Sequence, residues 1–409
     1  MKLSAHGLLR SFFGEHASLW LDERFHAITV ASVATGLGLA VLSPILTLLA
    51  GVYGVSESSA GLLMAAYSGS SLLVLPFIGI IGDRYGRKPL LTGSLLLIGV
   101  GGVGLALTTN FWIAVFLRGV QGMAWAGISS MTITLIGDWY AGDKGNTAQA
   151  FRTFTIQATG MIAPLLVVLL VFVSWRLPFG LFALALPFAV FAWVSFDEPA
   201  SPETESRLGY TQSLYAVIRD RTILYILLSF FPRMVIRYGF LSFVSVLVIS
   251  RLEYSPALAG ILVSVAAGVK MLTTSQMGRL TAAVADRYRV VVAGFLFAGS
   301  GLTGLGLVES VPLLAVATAF TGIGDGLLSP TQKGLLVDNV STEYRSGLVG
   351  IGMFSQNAGA TAAPLVLGAL LFVLDIRTVF VLTGVVNTVA GISFVLYASR
   401  WAVKPPVSQ

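Results

Sequence analysis

Long apolar runs, broken by short polar stretches, make up almost the whole of this chain. A helix needs about 20 apolar residues to cross the hydrocarbon of a bilayer. Measured against that length, the pattern predicts twelve spans, at about residues 26–53, 57–82, 89–109, 111–137, 146–174, 177–195, 223–249, 256–283, 290–308, 311–337, 346–374 and 378–398. The longest polar stretch, Phe196–Thr222, carries two prolines and eight charges and predicts a central linker. It divides the chain into an N-terminal bundle of six spans over 26–195 and a C-terminal one over 223–398, with a tail at 399–409. Before the first span, Leu8, Leu9, Phe12, Phe13 and Trp20 recur at helical spacing, so a short interfacial helix is expected within 1–25. The first span is too long, and lacks the small-residue cleavage site, for a removable signal.

Composition agrees with this pattern. Of 409 residues, 56% are hydrophobic and 11% charged, and the mean hydropathy is +0.86. Soluble domains carry about 25% charged residues, so the expected class is an all-α, polytopic membrane protein. The 45 glycines suit helices that pack backbone to backbone. The absence of cysteine excludes disulfides, thiolate metal sites and thiol chemistry. No metal-ligand cluster, nucleophile–base pair or phosphate-cradling loop stands out, so no metal, cofactor, built-in ATPase or enzymatic activity is expected.

The net charge of +6 acquires meaning from its placement. With both termini in the cytoplasm, inner segments hold fifteen Lys and Arg, outer loops hold Arg176, Arg251 and Arg377, and seven more lie within spans. Positive charge stays on the cytoplasmic side of membrane proteins. That reading explains the basic balance without nucleic acid, and places a multi-pass protein in the cell membrane.

The stretch GIIGDRYGRKPLL packs Asp83, Arg84, Arg87 and Lys88 into six residues between spans two and three. Between spans eight and nine, Asp286, Arg287 and Arg289 form a degenerate copy. At an offset of 200, Asp138 matches Asp338 and Ala163-Pro164-Leu165 matches Ala363-Pro364-Leu365, while Asp83 and Asp286 stand 203 apart. A six-span unit duplicated in one orientation predicts parallel halves with a substrate site between them.

At this point the chain resembles the major facilitator superfamily. Gly79, Asp83, Arg84, Gly86, Arg87 and Lys88 match its signature G-x-x-x-D-R-x-G-R-[RK] throughout. Gly86 is expected at a tight turn, and Asp83 is expected to accept N–H groups at a helix N-terminus. Arg84, Arg87 and Lys88 are expected to pair with acids of neighbouring helices. The resemblance implies that this cluster latches the halves on the cytoplasmic side, with Asp83 against the chain just before Gly347. The plainer alternative is that Arg87 and Lys88 only set topology.

Three further motifs resemble family patterns. Arg118 and Gly122 match a fourth-span R-x-x-x-G pattern, with Gln121 beside them, and the resemblance implies a part for Arg118 in proton coupling. The alternative is an arginine tied to carbonyls of a broken neighbouring helix. In span five, Thr159, Ala163 and Pro164 partly match the G-x-x-x-G-P motif of antiporters. In span one, Leu37, Gly38, Pro44 and Ile45 partly match L-G-x5-P-[VI]-x-P, with Thr47 replacing the last proline. Pro44, Pro164 and Pro364 are expected to kink their helices. These matches lean towards twelve-span drug:proton antiporters. Such exporters often carry an acid in span one, and this span has none.

Ionisable residues inside spans are costly and mark function. Arg233 and Arg237, four apart, share a helix face in span seven, where Pro232 and Gly239 predict local irregularity. Lys270 lies in span eight and Lys333 in span ten. Asp325, in GIGDGLLSP, is the one deep carboxylate, and its flanking glycines allow close approach. Three readings follow: an anion site built on Arg233, Arg237 and Lys270, a proton-coupling Asp325, or fixed ion pairs holding helices in register. Arg152 and Arg279, near span ends, are expected to snorkel to the interface. Tyr67, Gln121 and Trp125 are further substrate-binding candidates, with Phe154, Tyr238 and Phe354 as weaker aromatic ones. His6, His16 and His26 are expected at the interface.

The function read from the sequence is therefore a secondary transporter of a small organic solute working by alternating access. The favoured version is proton-coupled efflux of amphiphilic compounds by a monomer in contact with membrane lipids. An organic-anion transporter is the alternative, and a non-transporting sensor is a remote third.

Overall fold

The computed structural model describes residues 19–198, 220–277, 280, 284, 286–339 and 345–401, with backbone alone at 345–350 and 401. The described residues are helical, with no strand. Eleven helical segments are long and apolar enough to cross a membrane: α1 (Glu23–Tyr53), α2 (Glu57–Tyr85), α3 (Arg87–Leu107), α4 (Phe111–Trp139), α5 (Gly142–Val171), α6 (Leu177–Ser195), α7 (Arg221–Arg251), α8 (Pro256–Ser275), α9 (Arg287–Leu307), α10 (Val311–Asp338) and α12 (Ile376–Arg400). Between the last two lies α11 (Arg345–Leu370), a further 26-residue helix. Lipid offers no partner to a free backbone group, so a spanning chain satisfies its own hydrogen bonds as a helix.

Capping residues set several boundaries. The side chains of Asp22, Asn110 and Asp220 accept N–H groups at the starts of α1, α4 and α7. Asp22 also accepts the phenolic O–H of Tyr140 at 2.8 Å. Burial, and then that bond to Asp22, hold the Tyr140 phenol above its ordinary range. α8 ends at Ser275, eight residues before the expected end of its span; the Gln276 N–H bonds back to Thr273 O and Thr274 O, and the chain is helical again at Met277. The expected N-terminal interfacial helix falls largely outside the described residues, as do His6 and His16. Trp20 meets His26 edge-on.

The duplication shows in which helices touch. In the first half, α3 packs on α4 and α6, and α1 on α5 and α6. Six helices later, α9 packs on α10 and α12, and α7 on α11 and α12. By contact, the chain divides into two compact units. One holds the chain up to Leu42 and from Ser70 to Pro202, and the other holds Ser43–Gly69 and everything from Glu203.

The division falls where α1 is interrupted. Its α-helix ends at Ala40, and a single 3-10 turn, Ser43–Ile45, carries Pro44 into the next helical segment. Within the second unit, Ser43 Oγ donates to Leu241 O of α7, and Ser68 Oγ donates to Ala360 O of α11 at 3.2 Å. Pro164 and Pro364, in contrast, lie inside uninterrupted helices.

The irregularity expected around Pro232 is also absent. An α-helix runs from Arg221 to Ser245 through it, and a π-helical turn appears only at Val246–Arg251. Neighbouring side chains serve the carbonyls of this stretch. Gln332 Nε2 donates to Ser229 O at 2.9 Å, and Ser355 Oγ donates to Leu227 O at 2.8 Å.

Candidate functional site: an ionic cluster on Asp325

The densest charge inside the spans centres on α10. Gly322, Gly324 and Gly326 bring its backbone against two neighbours. A Cβ at Gly322 would lie 2.6 Å from Ala266 O, and one at Gly326 would lie 3.0 Å from Lys270 O, both on α8. A Cβ at Gly324 would collide with Ala298 of α9. Only glycine permits such approach. It seats Asp325 directly beside Lys270.

Three cations converge there. Lys270 Nζ lies 2.7 Å from Asp325 Oδ2, and Arg237 Nη1 lies 2.8 Å from the same oxygen. Arg233 Nε lies 3.8 Å from Oδ1, too far for a hydrogen bond. Arg233 Nη2 donates instead to Gln356 Oε1 of α11 at 2.9 Å, and its guanidinium sits 5.9 Å from the centre of the Phe230 ring. The Asp325 side chain is 10% exposed, Arg233 2%, Lys270 13% and Arg237 35%. The cluster is thus buried on the Arg233 side and open at Arg237. Lys333, two turns further along α10, is exposed.

A second buried network lies in the first unit. Arg118 is fully buried; Nη1 donates to Gln121 Oε1 at 2.8 Å and Nη2 to Gly38 O at 3.0 Å. Gln121 Nε2 in turn donates to Ile98 O at 3.1 Å. The accepting carbonyl, Gly38, stands in the last turn before α1 breaks. Trp125, one turn along α4, is half-buried; Tyr67 of α2, which belongs to the second unit, is buried.

Arg152 does not snorkel. It is 6% exposed, and it donates through Nε to Thr132 Oγ1 at 2.8 Å and through Nη2 to Ser129 O at 3.1 Å. Polar side chains of α4 hold it inside because they answer its donors there. Arg279 falls outside the described residues.

The Gly79–Lys88 motif resolves into separate jobs. Gly86 takes φ +96° at the turn into α3. The anion at the α3 N-terminus is Glu198, not Asp83: its carboxylate accepts from Arg87 N at 2.6 Å and Lys88 N at 2.9 Å. Gly86 leaves room for it, since a Cβ there would lie 3.0 Å from Glu198 Oε2. The Arg87 guanidinium pairs with Asp138 of α4. Lys88 Nζ sits 4.9 Å from the centre of the Trp193 ring, and Arg84 Cζ 5.6 Å from that of Tyr85. Asp83, Arg84 and Gly79 are exposed. The side chains before Gly347, where Asp83 is expected to dock, lie outside the described residues.

The copy follows the same plan at an offset of 200, not 203. Arg287 pairs with Asp338 at 2.6 Å as Arg87 does with Asp138. Asp286 occupies the position of Gly86 and caps α9 from Tyr288 N at 2.9 Å, which is the work of Glu198 in the first half. Asp286 therefore does not repeat Asp83. Arg289 pairs with Asp286 at 3.4 Å.

Comparison with known proteins places this geometry in context. The family model described as Major Facilitator Superfamily matches residues 28–282 and 226–408. The multidrug resistance protein MdtG of Yersinia enterocolitica is 23% identical over 365 residues, covering 86% of this chain and 87% of that protein. The bacillibactin exporter of Bacillus subtilis is 28% identical over 160 residues. That match covers 37% of this chain and 40% of the exporter, less than half of either. The crystal structure of a D-xylose-proton symporter superposes with a TM-score of 0.76 at 15% identity, over 95% of this chain and 99% of that one. At such identity, the likeness is one of fold.

Proposed function

The chain belongs to the Major Facilitator Superfamily, and from that membership we propose that this membrane transporter exports a small amphiphilic organic solute by proton-coupled alternating access. The observation that carries the reading is the Asp325 cluster. Ionisable groups within spans are kept where transport uses them, and Asp325 sets a titratable carboxylate among three cations. The export direction draws on the likeness to MdtG, which extends along most of both chains. The protein works as a monomer in the cell membrane, with both termini cytoplasmic.

Asp325 is the proton carrier in this scheme. Its carboxylate is paired with Lys270 and Arg237, and in the cycle it takes up a proton as those cations turn to another partner. Arg118, tied to Gly38 at the break in α1, links the first unit to the cycle. Gly79, Asp83, Arg84, Gly86, Arg87 and Lys88 form the cytoplasmic gate, and Asp286, Arg287 and Arg289 its counterpart. Tyr67 in the second unit, and Gln121 and Trp125 in the first, are further substrate-binding candidates.

The test is flux into proteoliposomes under an imposed pH gradient. Asp325→Asn is expected to abolish gradient-driven accumulation and retain downhill exchange. Full accumulation by that variant would remove Asp325 as the obligatory carrier.

A further inference from the structure

The charges around Asp325 do not balance. Three cations face one carboxylate, which leaves a formal surplus of two positive charges among the described residues. Their hydrogen bonds do not balance either. Two guanidiniums and an ammonium offer about thirteen N–H donors, and a carboxylate has about four lone-pair sites. Lys270 and Arg237 crowd onto Oδ2, while among the described residues nothing donates to Oδ1. Arg233, almost wholly buried, has Nε and Nη1 without an acceptor among the described residues. Gln356 supplies one neutral oxygen. Buried charge persists where a partner offsets its desolvation, and here the internal partner is too small for the cations gathered on it.

We propose that this cluster is the binding site for the anionic group of the transported solute, and that Asp325 is its built-in competitor. The inference rests on the transporter reading above and adds the substrate class: an organic anion bearing a carboxylate, sulfonate or phosphate. A planar or tetrahedral oxyanion accepts from Arg237 and Lys270 together, as Asp325 Oδ2 does now. Arginine meets such groups with paired, charge-assisted bonds. Arg237, the most exposed of the three, receives the anion first. Arg233, pinned by Gln356 and seated on Phe230, offers the donors that Asp325 leaves unused. The apolar part of the solute offsets the cost of bringing an anion so deep, since the Phe230 ring lines the buried side. A cationic solute is disfavoured, because Lys270 and Arg237 already occupy Oδ2 and the three cations leave a net positive charge around Asp325.

The site can be tested by binding, independently of flux. The purified protein in phosphatidylcholine nanodiscs is titrated with three matched probes: 2-naphthoate, neutral 2-naphthamide and cationic 2-naphthylmethylammonium. Selective stabilisation by 2-naphthoate is expected. Asp325→Asn removes the competitor and is expected to tighten naphthoate about tenfold, with naphthamide unchanged. Arg237→Gln, at the exposed edge and so tolerated by the fold, is expected to weaken naphthoate about tenfold. It keeps the question answerable if Asp325→Asn fails to fold. Equal binding of naphthoate and naphthamide by the unaltered protein would overturn the proposal. So would unchanged naphthoate affinity in Arg237→Gln, equal protection by sodium chloride, or displacement of naphthoate by phosphatidylglycerol, which would assign the site to lipid. Proton-driven flux of a neutral compound alongside such a result would leave the transporter reading standing without the anion site.

Discussion

Lys270 Nζ lies 2.7 Å from Oδ2 of Asp325, the oxygen that Arg237 also uses. The contact adds an ion pair to the close glycine packing of α10 on α8. Two partners on one atom mean that losing the acid and losing one base have unequal consequences.

Removing the acid strands three cations. Breaking a buried ion pair by deleting one partner costs about 3–5 kcal/mol. Asp325→Ala is therefore expected to lower the unfolding temperature in detergent far more than Lys270→Met, which leaves Asp325 with both arginines. Equal losses would mean that the cluster is not organised around Asp325.

The glycines of α10 make a separate prediction about packing. Gly326→Ala forces a methyl against Lys270 O and Thr273, and overpacking of this kind costs about 1–3 kcal/mol. Gly119→Ala on α4 and Gly160→Ala on α5 meet nothing within 4 Å. Thermal unfolding of the three variants should separate Gly326→Ala from the other two.

At the Gly79–Lys88 motif and its copy, the two arginine–aspartate pairs differ in exposure. Arg87 and Asp138 are 8% and 23% exposed, against 38% and 50% for Arg287 and Asp338. Exposed pairs contribute about 0–1 kcal/mol. Asp138→Asn should destabilise more than Asp338→Asn. Glu198→Gln should also destabilise, by about 0.3–1 kcal/mol, through the lost charge at the α3 N-terminus. If Asp338→Asn proves the costlier of the two aspartate changes, the burial argument fails.

Orientation has a clean assay, because the native chain has no cysteine. A single Ser201→Cys in the central linker is expected to resist an impermeant maleimide in intact cells and to react after permeabilisation. Efficient labelling from outside would invert the topology. Asp83→Asn, meanwhile, is expected to reduce transport at near-normal expression. Wild-type flux would leave the motif a topology signal.

Most of the fold was legible because hydrocarbon imposes so simple a rule. Runs of about 20 apolar residues mark helices, and α1 to α12 follow them. The members of the Asp325 cluster were legible singly, since charge within a span stands out. Their meeting was not: the face of α8 that carries Lys270 depends on Gly322 and Gly326, whose contacts no spacing reveals. Gln356 was missed because a neutral polar residue in a span draws no notice. Glu198 was missed because it reads as linker, although a lone acid directly after a span and opposite a glycine turn is a usable sign. Arg152 shows the converse error. Its nearness to a span end suggested solvent, but Ser129 and Thr132 on the next helix answered it first.

The surplus charge at Asp325 has an electrical consequence. Moving one elementary charge through the membrane potential involves about 2.3 kcal/mol per 100 mV. On the proposed cycle, the vacant site carries positive charge as its access changes, and a bound anion cancels part of it. Voltage therefore weighs differently on the loaded and unloaded carrier. Clamping the potential across proteoliposomes with potassium and valinomycin should alter the return of the empty protein more than the passage of the full one, so turnover is governed by the electric field as well as by the solute gradient.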